Sequence, residues 1–96
     1  MKDEIRELTA ADFAGALPRR VRERLVRGEF QSGDVALLRR FTGLSQEMFA
    51  RALGISVHTL RNWEQGRRVP EGPALALLRI AARHPRVLRE NLALAG

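Results

Sequence analysis

The chain has 96 residues, no cysteine and a formal net charge of +6. That length accommodates one domain, or one domain with a short arm. Without cysteine there is no disulfide scaffold, thiolate zinc site or cysteine nucleophile, and two histidines, His58 and His84, are too few for most metal sites.

No apolar run reaches the length of a membrane span, so a soluble, cytoplasmic protein without a membrane partner is expected. All but one of the 17 cations are arginine, Lys2 being the exception. Arginine presents a planar fork that matches phosphate oxygens and guanine edges. The cations are spread along the chain and form no polybasic tail, so a nucleic-acid surface has to be assembled by folding. A core of this size is marginal alone, which favours a dimer.

β-branched residues never alternate over the length of a strand, whereas helix punctuation is dense. The expected fold class is all-α: a compact bundle of about five short helices with an N-terminal helical arm. The arm is expected over residues 1–33 and the domain over 34–96. The arm helix spans about 10–27, capped by Thr9, with Phe13, Leu17, Val21 and Leu25 recurring every four residues as one apolar stripe. Pro18 either kinks this helix or opens a second one as its first residue, and Gly28 stops it.

The second half is more sharply divided. Asp34 is expected to cap a helix from Val35 to about Thr42, ended by Gly43. Ser45 caps the next, which ends at Gly54. Ser56 caps a third, which ends at Gly66. Pro70, Gly72 and Pro73 mark a loop. Pro73 fits the first turn of a helix over about 74–84, and Pro85 opens a last helical piece.

Helix, a short turn built on Gly54 and a second helix define a helix-turn-helix. Leu44-Ser45-Gln46, Phe49-Ala50, Leu53-Gly54-Ile55-Ser56, Leu60 and Trp63-Glu64-Gln65-Gly66 with Pro70 resemble the Cro/C1 or XRE helix-turn-helix family over residues 34–70. The continuation from Gly72 through Arg79 to His84-Pro85 is similar to HigA-type antitoxins and related small regulators of toxin–antitoxin operons.

The resemblance implies a recognition helix over Ser56 to Gln65, its N-terminal residues facing base edges in the major groove. Leu60 and Trp63, three apart, belong inward. Val57, His58, Arg61 and Asn62 then face outward, with Thr59 turned partly toward the backbone. Arg61 suits guanine, Asn62 adenine and Val57 a thymine methyl, while His58 suits a base acceptor or a phosphate. Gln46 occupies the position where the family clamps the DNA backbone at a helix N-terminus. Ser56 is a cap first and a phosphate donor second, and Arg67 and Arg68 are placed for the next phosphates. Glu64 resembles the family glutamate that pairs with a first-helix arginine, which by spacing is Arg39.

The resemblance also implies partners. These are double-stranded DNA with a palindromic operator, bound by a homodimer, and a cognate RelE/ParE-like toxin. The alternative is a stand-alone XRE-family or phage-type repressor without a toxin. Val87, Leu88 and Leu92 form the candidate dimer surface, unless they close a monomeric core. The stripe Phe13/Leu17/Val21/Leu25 either packs on the domain or contacts the toxin, while the arm's arginines are alternatively placed for DNA backbone. No catalytic triad, phosphate loop or metal spacing is present, so neither an enzyme nor a cofactor is expected.

Overall fold

The computed structural model describes residues 17–95. Among them are six helices: α1 Arg19–Val26, α2 Asp34–Thr42, α3 Gln46–Leu53, α4 Val57–Glu64, α5 Gly72–Arg83 and α6 Arg86–Ala95. The described residues form an all-α fold, with α1 falling in the expected arm and five helices following it. Thr9 and Phe13 lie outside the described residues.

Pro18 neither kinks α1 nor serves as its first residue. It stands one position earlier, as the N-cap, and its carbonyl accepts from the Arg22 N–H at 2.9 Å. Asp34 also departs from expectation. Gly33, with φ 89°, is the cap of α2, and Asp34 is the first helical residue. Its carboxylate accepts the Gln31 N–H at 2.8 Å. Both its oxygens accept from Arg24 Nη2 at 2.7 Å. A buried carboxylate needs such partners; this one ties α1 to α2 and leaves the cap position to glycine. Pro73 lies in the first turn of α5, which begins at Gly72.

One core runs through all six helices. Leu25, Val35, Leu38, Phe49, Leu60, Leu78 and Leu88 are its largest fully buried side chains. α1 packs on α5, and α6 packs on α2, α3 and α5. Leu17 and Leu25 of the expected arm are core residues, and Val21 packs half-buried against them. These three therefore do not form a free stripe for a partner. Burial on the domain wins because the stripe and the apolar face of α5 would otherwise both face water. Leu88 is likewise core, so it leaves the candidate dimer surface, and Val87 and Leu92 pack half-buried against the same cluster.

Three helix C-termini receive a side-chain donor from α5 or α6. Arg79 Nε donates to the Val26 carbonyl at 2.9 Å, Arg89 Nε to Thr42 at 2.8 Å and Asn91 Nδ2 to Ala52 at 2.8 Å. The last carbonyls of a helix have no partner within it and carry its negative pole. Two of the C-terminal arginines are thus engaged in holding the fold.

Candidate nucleic-acid interface

The two helices of the motif are set by their ends. Ser45 Oγ accepts the Met48 N–H at 3.1 Å, and Ser56 Oγ the Thr59 N–H at 3.0 Å. Each cap satisfies one backbone donor that the first turn leaves over. Between them Gly54 has φ 75°, and the next residue's N–H returns to the Ala50 carbonyl at 3.0 Å. An L side chain at that φ is strained, so glycine sets the reversal. Ala50 and Phe49 are fully buried where α3 meets the core.

Leu60 and Trp63 fix the rotation of α4, at 0% and 7% exposure. His58 and Arg61 are consequently exposed, and Val57, Thr59 and Asn62 are half-buried along the flanks. His58 Nε2 and Asn62 Nδ2 lie 3.4 Å apart. Thr59 is committed locally, its hydroxyl accepting from Ser56 Oγ at 3.0 Å. Beyond α4 the chain folds back on Asn62, whose carbonyl accepts the Arg67 N–H at 2.9 Å. The Arg67 and Arg68 side chains are exposed and share an open cleft with His58, Thr59, Asn62 and Glu71. This brings His58 and Asn62 of α4 and both following arginines into one cleft, which Val57 and Arg61 do not line. Val69, 62% exposed, lines the same cleft, a position that no motif in the sequence marks.

Behind this face lies a chain of polar contacts. Arg39 Nε donates to Glu64 Oε2 at 2.6 Å, and Arg39 Nη1 to the Leu44 carbonyl at 3.2 Å. Glu64 Oε1 accepts from Gln46 Nε2 at 2.9 Å. Gln46 Oε1 in turn accepts from Arg61 Nε at 3.3 Å. The Arg39–Glu64 pair, with side chains 16% and 9% exposed, joins α2 to α4. The two links through Gln46 are not legible in spacing, since they join residues 15 and 18 apart on different helices. No membrane-length apolar helix and no cluster of metal-ligating side chains occurs among the described residues.

A helix-turn-helix domain model matches residues 14–92. Antitoxin HigA-2 of Vibrio cholerae is 46% identical over 55 residues, which cover 57% of this chain and 53% of that protein. The Escherichia coli K12 protein described as uncharacterized HTH-type transcriptional regulator YiaG is 35% identical over 57 residues, 59% of each chain. The chain therefore spans little more than half the length of these curated relatives. No solved structure matches it. With a family match reaching from before α1 into α6, and the helix-turn-helix geometry at its centre, the chain belongs to the XRE-type helix-turn-helix family.

Proposed function

We propose that this chain is a sequence-specific DNA-binding transcriptional regulator, the antitoxin of a type II toxin–antitoxin pair. It represses its own operon and neutralises a RelE/ParE-like toxin. The observation that carries DNA binding is the exposed side of α4, where His58, Arg61 and Asn62 lie within one helical turn of each other, with Arg67 and Arg68 in the cleft beside His58 and Asn62 and with Leu60 and Trp63 buried behind. α4 enters the major groove. Arg61 and Asn62 meet base edges, Val57 a thymine methyl and His58 a base or a phosphate. Arg67 and Arg68, the N-terminus of α3 at Gln46 and the Ser56–Thr59 cap lie toward phosphates. A homodimer places two such helices about one DNA turn apart on a palindromic operator. Val87 and Leu92 remain candidates for its interface. The protein works in the cytoplasm, uses no cofactor and catalyses no reaction.

The likeness to antitoxin HigA-2 supports the toxin partner. The likeness to a regulator not described as an antitoxin supports a second reading, a stand-alone repressor. Gel retardation on the DNA upstream of the protein's own reading frame tests regulation. A shift that survives excess scrambled duplex is expected, and equal competition by scrambled duplex overturns sequence specificity. Co-expression with the adjacent small reading frame separates the two readings. Rescue of growth arrest by this chain supports the antitoxin, and a harmless neighbour supports the stand-alone repressor.

A further inference from the structure

We propose that the turn joining α1 to α2 is part of the DNA interface, with the Ser32 hydroxyl donating to a phosphate oxygen beside those that Arg67 and Arg68 meet. This rests on the reading of α4 as the major-groove helix, and extends its contact surface to a segment that precedes the helix-turn-helix. The turn has a fixed shape. Asp34 Oδ2 accepts the Gln31 N–H at 2.8 Å, and the Asp34 N–H returns to the Gln31 carbonyl at 3.0 Å. Arg24 holds the same carboxylate from α1 at 2.7 Å. Ser32 is exposed at the tip of this turn, and Gly33, with φ 89°, leads the chain into α2. The tip rests on Gly66, just past α4. A Cβ at Gly66 would stand 2.8 Å from Ser32 Oγ and 3.4 Å from Ser32 Cβ, so glycine permits the close approach of the two loops.

Arg67 and Arg68 follow Gly66 directly, and their N–H groups both turn back to the Asn62 carbonyl, at 2.9 and 3.4 Å. Ser32 is thus placed against the residue that opens the cationic exit of α4. Serine hydroxyls are ordinary phosphate donors, and such contacts fix the register of a protein on the duplex. A short side chain on a fixed turn also has little freedom to lose on binding. The local charges do not oppose an anion there. The Asp34 carboxylate is buried and paired with Arg24, and Glu29, at the entry to the turn, is paired with Arg27 at 3.1 Å. Asp34 also occupies the first turn of α2, so that helix end is no anion site in its own right. The contact therefore falls to the hydroxyl. In this arrangement α1 acts on DNA binding through Arg24, which sets the turn that presents Ser32.

The test uses the full chain and the duplex upstream of its own reading frame. Ser32→Ala keeps the Cβ that packs on Gly66 and removes only the hydroxyl. It is expected to bind about tenfold more weakly, equally on that duplex and on a scrambled one, with an unchanged melting temperature. Its salt slope should match the wild type, because a neutral donor displaces no counterion, whereas Arg67→Ala makes the slope shallower by about one. Ser32→Glu sets a like charge against the phosphate and should lose more than Ser32→Gln, by a margin that narrows at high salt. Single methylphosphonate replacements then locate the contact. One position is expected at which wild-type binding falls about tenfold and binding by Ser32→Ala falls less than about twofold. Each protein is compared with itself on two duplexes, so a less stable variant remains informative. The absence of any such position, or equal binding by Ser32→Glu and Ser32→Gln, would leave the turn a packing role only and overturn the proposal. A wild-type chain that binds no duplex overturns the DNA-binding reading itself, a separable failure.

Discussion

Glu64 illustrates how much one side chain on the recognition helix carries. It is the acceptor for Arg39 and Gln46 together, and both members of the ion pair are largely shielded from water. Removing it strands a guanidinium in a site of low exposure, which is more costly than the pair is beneficial. Glu64→Ala is expected to lose roughly 3 kcal/mol in urea unfolding. The double change Arg39→Met/Glu64→Leu should recover most of that loss, since apolar groups of similar size need no partner. A single-variant loss under about 0.5 kcal/mol would instead mark the contact as an ordinary surface pair. The partners Arg39 and Glu64 are legible through the motif. Gln46 as their third member is not, because side-chain links between separate helices depend on the angle at which those helices meet.

At the level of elements, the turns show two different uses of glycine. Gly54 has φ 75° and open space where a Cβ would stand. Gly43 has φ 79°, and a Cβ there would lie 2.5 Å from Arg89 Nη2. Gly54→Ala is therefore expected to cost only the backbone term, about 1–2 kcal/mol. Gly43→Ala adds displacement of the guanidinium that holds the last carbonyl of α2. Its larger loss should be accompanied by faster amide exchange in α6, and equal losses for the two variants would show that Arg89 plays no part. Helix starts at Ser45 and Ser56 are legible because a cap is a local, one-residue signal. Asp34 misleads for the same reason. Its residue type suits a cap, but the Arg24 guanidinium, ten residues earlier, outcompetes that local role.

Across the whole molecule, the expected division at residue 33 meets a continuous core. Leu17 and Leu25 are buried with Leu78 and Leu88 from the other end of the chain, and Arg24 is paired with Asp34. A chain starting at residue 34 would expose the face of α5 that α1 covers, and would lose the Arg24 and Gln31 contacts that fix Asp34 at the start of α2. It is expected to lose cooperative thermal unfolding, as read by circular dichroism; an unchanged transition would restore the independent domain. An amphipathic stripe states that one face is buried but not against what. This is why the stripe itself is visible in sequence while its destination, the domain and not a partner, is not.

The contacts at the ends of α1, α2 and α3 also affect how the positive charge of this protein should be mapped. Arg79 and Arg89 each neutralise a helix terminus, while Arg67 and Arg68 are exposed beside the recognition helix. An arginine-by-arginine neutralisation scan will therefore contain two populations of variants with the same drop in apparent DNA binding. One will have lost fold and the other contact. Melting temperature and salt slope, measured together on every variant, sort them: the first population melts early with its slope intact, and the second melts normally with a shallower slope.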